Sequence, residues 1–534
     1  MSRSIAGDNP VSKLSLLAIT WPIFVESALQ MFLRTSDTFM LSKVSDGAVA
    51  AVGVANQIIM FAVLMFNFVA LGSAVVISQY LGARRQHEIG RLAGSSLALN
   101  FLFGLVVSVM VMILSGPLLR IFDLDPSLFG QAEKYLLIAG GALVIQALLT
   151  AVTAMIQSHG LTRQTMVVTI GMNVLNIFGN YLFIYGPGGF PKLGVVGVAI
   201  STAFAQCVGL AVNLVLLRKA AGVYIRWNDL FVWSREHIGK VLRVGVPSSA
   251  VSLSYSANQF VTTAFISSLG ASVLATKIYT QNIMFFVMIL AVSLGRGGQI
   301  IVGQLVGAGQ REEAYKQVIR NLIRSELITL AAVAVLTLFR QPLMKLFTTD
   351  PDIIAMGAAL LLLSFLLEPG RNFNVILERS LQAAGDARSA MIVSITVTWL
   401  FSVPLTYLLG IHWGYGLYGI WAAFIADEWL RGILLWVRWR SKAWQRAARA
   451  GSTKKPPLGD YPGWRFFVLA PNRDRYAEER RIKARVSVGN SGPSSGRRLT
   501  GAFAWTSVSR SAVRPEIASD VPPPIRNDAA APLA

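Results

Sequence analysis

A chain of 534 residues that is 54% hydrophobic and only 14% charged, with a mean hydropathy of +0.55, is too apolar to cover itself as a soluble protein. A single cysteine, Cys207, and four scattered histidines leave neither a disulfide framework nor a zinc motif. No nucleophile–base pair or phosphate loop appears, so the chain reads as a non-enzyme; the net charge of +21 is no sign of nucleic-acid binding, because 17 basic and 7 acidic residues from 441 onward supply +10 of it.

In chain order, residues 1–13 are polar and read as a cytoplasmic segment. The apolar run that follows is too long for a signal sequence and has no small-residue cleavage site, so it is expected to stay as a helix. A hydrocarbon core about 30 Å thick needs about 20 apolar residues per helix. On that measure spans are predicted at 14–41, 48–75, 91–115, 129–157, 164–186 and 194–217, forming a first six-helix lobe over 14–217. Residues 218–239 form a polar connection, with Trp227 and Trp233 suited to the membrane interface. Six more spans, at 240–268, 273–300, 318–340, 353–383, 389–410 and 416–438, make a second lobe over 240–440. From 441 to 534 Pro, Ser, Gly and Arg replace the apolar runs, as in a disordered cytoplasmic tail attracted to anionic lipid.

The two lobes are one design written twice. At a fixed offset of 225, Pro22 matches Pro247, Gln79-Gly82-Ala83 matches Gln304-Gly307-Ala308, Pro117 matches Pro342 and Gly160 matches Gly385. The fold class expected is an all-α integral membrane protein of about twelve transmembrane helices in two homologous lobes around a central cavity. Basic residues gather in the even-numbered connections (Arg84, Arg85 and Arg91; Arg218 to Arg243; Arg311 to Arg324), which places those loops and both termini in the cytoplasm.

Ionisable groups at membrane depth cost at least about 2.5–3.5 kcal/mol and need a reason to be there. On the first span Glu26, Gln30, Arg34 and Asp37 share one helical stripe. Two readings stand: Arg34 and Asp37 neutralise each other at i, i+3, or Asp37 binds a proton or cation in a cavity. Asn173, Asn176 and Asn180 share a face of the fifth span, while the equivalent positions of the second repeat are Thr398, Phe401 and Leu405, and Thr262 stands opposite Asp37. A polar set confined to one copy points to chemistry more than to packing. The second repeat carries Glu368, Arg371, Asn374 and Glu378 on the tenth span, and Asp427, Glu428 and Arg431 on the last. Each group can neutralise itself in part, so structural and functional readings of both stay open.

Pro22, Glu26, Gln30, Asp37-Thr38 and Ala50-Ala51-Val52-Gly53, the paired Gln79 and Gln304 segments, the three asparagines, and Glu368-Pro369-Gly370-Arg371 with Asn374 and Gly385-Asp386 together resemble the multidrug and toxic compound extrusion family (MATE). The resemblance covers about residues 14–442 and implies two lobes in a V with a cavity opening alternately to either side. It implies a multi-pass, monomeric antiporter of the plasma membrane, driven by H+ or Na+ and without other cofactors, that exports cationic or amphipathic small organic compounds. Asp37 would be the coupling carboxylate, with Asn176 and Asn180 beside it and Na+ as one occupant. Glu26, Gln30, Asn173, Tyr255, Arg371, Asn374 and Glu378 are candidates for the substrate cavity. Departures accompany the likeness: Asn180, Tyr255 and Arg371 stand where some members carry acids, and Arg34 and Arg296 where neutral residues are commoner. The alternative is a lipid-linked oligosaccharide flippase of the same superfamily, for which a strongly cationic cavity is expected.

Overall fold

The computed structural model describes residues 15–122, 126–226, 229 and 234–446. The expectations for residues 1–13, for Trp227 and Trp233, and for the tail from 447 lie outside them; residues 441–446, expected to open that tail, are instead packed on the bundle, with Trp444 buried and stacked on Trp439. Everything described belongs to one compact unit, Met1–Pro456. It is built from helices α1 (Leu16–Ser42), α2 (Asp46–Gly82), α3 (Gln86–Ile113), a short α4 (Ser115–Arg120), α5 (Pro126–Gly141), α6 (Leu143–Ser158), α7 (Thr162–Tyr185) and α8 (Val195–Lys219). After the connection come α9 (Arg235–Ser267), α10 (Ala271–Gly307), α11 (Arg311–Leu338), a short α12 (Arg340–Lys345), α13 (Pro351–Ala383), α14 (Ala387–His412) and α15 (Gly416–Arg440).

The offset seen in the sequence recurs in the helix boundaries. Asp46–Gly82 maps on Ala271–Gly307, Gln86–Ile113 on Arg311–Leu338 and Ser115–Arg120 on Arg340–Lys345, each 225 residues apart. Local chemistry sets several of these ends. Ser45 caps α2 by accepting from the Ala48 N–H at 3.0 Å. Asp350 caps α13 by accepting from Asp352 N–H at 2.9 Å, with Pro351 in the first turn, where its missing N–H costs nothing.

Counting α5 and α6 as one bent span, the described residues form twelve long helices. Nine are long and apolar enough to cross a membrane on their own, and the bent pair makes a tenth. The other two are interrupted by polar groups: α9 by Ser248, Ser249, Asn258 and Gln259, and α15 by Asp427, Glu428 and Arg431. Such helices are inserted as part of a bundle that covers their polar face.

One expectation is corrected. The span read as continuous over 129–157 is two helices that meet at Ala142 with a 43° bend. Gly140 and Gly141 hold the helix weakly, and the Ser108 hydroxyl donates to both their carbonyls, at 2.6 and 3.0 Å. Those carbonyls are thereby drawn towards α3. The second lobe has Phe365 and Leu366 there, and α13 runs unbroken. A second irregularity lies in α14, which widens to i→i+5 hydrogen bonding at Thr398–Ser402 and Leu408–His412. Pro404 between them has no N–H to give to the preceding turn.

The lobes meet along a pseudo-symmetric seam at the end of the bundle where α1 begins. Gln79 Nε2 on α2 donates to the Ala383 carbonyl of α13 at 2.7 Å. Its counterpart, Gln304 Nε2 on α10, donates to the Ser158 carbonyl of α6 at 3.0 Å; Ser158 and Ala383 are themselves 225 apart. Between these clamps Gly82 and Gly307 bring α2 and α10 into backbone contact. A Cβ on Gly82 would lie 1.8 Å from the Gln304 carbonyl oxygen, and one on Gly307 1.9 Å from that of Gln79. The recurring Gln-x-x-Gly motif is therefore the joint between the lobes.

Candidate functional site

In the first lobe, helices α1 and α7 pack side by side and bring Asp37 to the asparagine face. Asn180 Nδ2 donates to Asp37 Oδ1 at 2.6 Å and to Asn176 Oδ1 at 3.1 Å. Asn176 Nδ2 in turn donates to Thr202 Oγ1 of α8 at 2.9 Å. A single polar chain thus runs Asp37–Asn180–Asn176–Thr202 across three helices. Asn176 and Asn180 are fully enclosed, Asp37 is half-buried, and Asn180 Oδ1 has no hydrogen-bond partner. Arg34, one turn before Asp37, is exposed and makes no ion pair with it. Of the two sequence readings, mutual neutralisation at i, i+3 is the one the geometry lacks.

Sequence reasoning missed three neighbours. Thr202 is one; Tyr135 on α5 and Asn56 on α2, joined by a 3.2 Å hydrogen bond, are the others. Tyr135 lies close enough to Asp37 to feel its charge. A tyrosine and a threonine in apolar runs give no signal, because their approach to Asp37 depends on helix packing.

The seven candidates for the substrate cavity do not form one site. Glu26 is buried against α6 and α7, accepting from Gln157 Nε2 and Thr165 Oγ1 at 3.0 Å each. Asn173 spends its amide on the Leu29 carbonyl at 3.0 Å. Both are helix-to-helix ties, and the stripe that holds Glu26 and Asp37 serves two separate neighbourhoods. Gln30 is exposed on α1. Glu378 accepts from Gln382 Nε2 at 2.8 Å and is not among the residues lining the second-lobe cavity described next.

Tyr255 and Arg371 do come together, in a partly open cavity of about 310 Å³ lined by α9, α10, α13 and α15 of the second lobe. The two acid–base groups read separately in the sequence are one network on its wall. Arg371 Nη1 contacts Glu368 Oε1 at 2.6 Å, and its Nε contacts Glu428 Oε1 at 3.4 Å. Arg431 Nη2 contacts Glu428 Oε2 at 3.2 Å and Asp427 Oδ2 at 2.6 Å. Asn374 Nδ2 steadies Glu428 at 2.9 Å from behind the wall. The order Glu368–Arg371–Glu428–Arg431–Asp427 alternates acid and base, begins and ends on a carboxyl group, and sets three carboxyl groups against two guanidiniums. Pairing of this kind is what makes buried charges tolerable. Tyr255, Phe285, Trp421 and Phe424 line the same cavity. Among the described residues no cluster of three or more His, Cys, Asp or Glu could hold a metal ion.

The comparisons with known proteins agree with this architecture. The MatE family model matches residues 22–182 and again 247–408, two stretches that start 225 residues apart. The uncharacterized transporter YisQ of Bacillus subtilis is 44% identical over 443 residues, covering 83% of this chain and 97% of that protein. The multidrug resistance protein PmpM of Pseudomonas aeruginosa is 26% identical over 433 residues, covering 79% and 90%. Among solved structures, the outward-facing conformation of a multidrug resistance MATE transporter of the MOP superfamily superposes with a TM-score of 0.74 at 22% identity, over 81% of this chain and 96% of that one. With the family model matched in both halves and a relative at 44% identity along nearly its whole length, the chain belongs to the MatE family, the multidrug and toxic compound extrusion transporters.

Proposed function

We propose that this transporter is a monomeric antiporter of the plasma membrane that exports cationic or amphipathic small organic compounds in exchange for inward H+ or Na+. Asp37 is its coupling residue, with Asn180 and Asn176 as direct partners. The observation that carries the reading is the 2.6 Å contact from Asn180 Nδ2 to an Asp37 carboxylate that no arginine neutralises. A charge held by one neutral amide and only half-buried can exchange a proton or cation; a charge locked to a guanidinium exchanges it far less readily. The Asn180 amide serves either ion. With its nitrogen towards Asp37 it supports the bare carboxylate, and turned over it would offer Oδ1 beside Asp37 as a second oxygen ligand. One charge moving down 100 mV supplies about 2.3 kcal/mol, enough to drive a substantial substrate gradient.

Both termini are read as cytoplasmic from the loop charges, which puts the glycine seam on the cytoplasmic side. The basic tail from 447 is read as lying on anionic lipid. The flippase alternative calls for a cationic central cavity; the second-lobe cavity, lined by three carboxylates and two guanidiniums, lends it no support.

The test is transport by the purified chain in proteoliposomes under separately imposed pH and Na+ gradients. Asp37→Asn should abolish gradient-driven export and leave the protein folded. Asn180→Ala, which removes a dipole and not a charge, should slow export less. If Asp37 acted only through Arg34, adding Arg34→Leu to Asp37→Asn would restore transport; near wild-type rates in that double variant would end the coupling role.

A further inference from the structure

Lys277 is a lysine in an apolar span with no acid to answer it. It lies in the second turn of α10, about 45 Å of helix from the seam at Gly307. The residue is only 5% exposed, whereas a lysine that snorkelled to the surface would show its end to water. Its Nζ donates to Thr263 Oγ1 of α9 at 2.6 Å, its one hydrogen bond among the described residues. The Thr263 hydroxyl donates in turn to the Gln259 carbonyl at 2.6 Å. That contact satisfies the threonine and leaves two ammonium N–H groups over. No carboxylate of the described residues forms an ion pair with Lys277, and none is near enough to act on it by charge. Ile266, Val273, Leu274, Leu417 and Ile420 pack together at this end of the lobe, so the surroundings are apolar. An ammonium in such a place is costly unless an opposite charge accompanies it.

The other repeat shows what is missing. At the offset of 225, Val52 stands opposite Lys277, Thr38 opposite Thr263 and Asp37 opposite Thr262. The first lobe has a carboxylate and no ammonium where the second has an ammonium and no carboxylate. Thr280, one turn further along the same side of α10, is fully buried and its hydroxyl has no partner. Its first-lobe counterpart is Ala55. Gln259 and Gln281, one turn from Thr263 and Lys277 respectively, line the partly open cavity, so the ammonium lies one helical turn from a space that solvent enters.

We propose that Lys277, with the Thr280 hydroxyl, binds a single monovalent anionic group, either a chloride ion or the carboxylate of an organic molecule. A divalent anion would exceed the one positive charge on offer. The site is independent of the coupling at Asp37 and of the direction of transport.

The test uses the full-length protein in nanodiscs of zwitterionic lipid, whose surface neither attracts nor repels anions strongly. Binding of radiolabelled chloride and, separately, of radiolabelled benzoate is followed by equilibrium dialysis, with sodium sulfate holding the ionic strength constant. At least one of the two should bind saturably. Chloride that benzoate does not displace identifies an inorganic ion, and benzoate bound where chloride is not identifies an organic carboxylate. Mutual displacement shows that the site takes the anionic group whichever molecule carries it.

Lys277→Met removes the charge at nearly constant length, and Thr263→Asp supplies a carboxylate where the amine already makes contact. Each should weaken saturable binding at least about tenfold. Thr280→Val keeps the shape, removes the hydroxyl and should weaken it about threefold. The bound anion should also raise the unfolding midpoint of the wild type, read by tryptophan fluorescence, and leave that of both charge variants unmoved. Should Lys277→Met fail to fold, Thr263→Asp carries the same decision. Absence of saturable binding of both anions by the wild type, or binding that either charge variant retains, would overturn the proposal.

Discussion

The two lobes share a backbone plan and differ in how they carry charge. Besides Glu26, tied to Gln157 and Thr165, the first holds Asp37, supported by an amide chain of Asn180, Asn176 and Thr202. The second holds five ionisable side chains braced against one another across α13 and α15. Neither set has a counterpart in the other repeat. Thr262, Thr398, Phe401 and Leu405 stand where the first lobe has Asp37 and its asparagines, and Leu143 and Gln146 stand where the second has Glu368 and Arg371. Duplication preserved the seam (Gln79 with Gln304, Gly82 with Gly307), and each copy acquired its own polar interior. A lone charge supported by dipoles is suited to changing its state during a cycle, and a chain of ion pairs is suited to keeping it.

That contrast can be broken most forcefully in the second lobe. Arg431→Met leaves Asp427 with no guanidinium and Glu428 with one, and should cost about 3–5 kcal/mol, seen as loss of monodisperse protein and a lower unfolding midpoint in detergent. In the first lobe Arg34→Met should shift the midpoint by less than about 0.5 kcal/mol, since Arg34 is exposed and pairs with no acid of the stripe. Similar losses in both variants would mean that the lobes do not differ in the way described.

The seam is where the lobes should behave alike. Gly307→Ala and Gly82→Ala each drive a Cβ into a backbone carbonyl and should each cost about 1–3 kcal/mol in the same thermal assay. Gly53→Ala, with nothing within 4 Å of the added carbon, should be neutral or slightly stabilising. Smaller still, Gln79→Ala and Gln304→Ala should each lose about 1 kcal/mol, and by the same amount, because each removes one of a matched pair of amide-to-carbonyl bonds. A large effect from one and none from the other would show the seam to be lopsided.

Much of the architecture was legible because repetition is a property of sequence. Matching prolines, glycines and glutamines at one offset needed no knowledge of packing, and the helix ends follow the same offset. The contact between Asp37 and Asn180 was legible for a related reason: polar residues confined to one helical face in an apolar span have few places to go. The joining of the Glu368 and Asp427 groups was not legible, because each is self-neutralising on its own helix and only the neighbouring of α13 and α15 makes them one chain. Glu26 misled for the opposite reason. It shares a helical stripe with Asp37, but three turns of helix separate them, and different neighbours claim each. The bend at Ala142 escaped because Gly140 and Gly141 sit in an apolar run whose hydropathy never falters, and the hydroxyl that draws their carbonyls away comes from Ser108 on another helix.

The seam has a mechanical consequence. At Gly72 and Gly245, and at Gly82 and Gly307, main chain rests against main chain, with little side chain standing between the lobes. Interlocked side chains must change rotamer or be dragged past one another before two surfaces can part, and that friction sets a barrier. Bare backbone ridges have no teeth to disengage. Once the two amide clamps release, such surfaces can slide apart and later meet again in the same register, as the faces of a plain bearing do. A joint whose tightness comes from the absence of side chains is one that two lobes could part and remake without repacking.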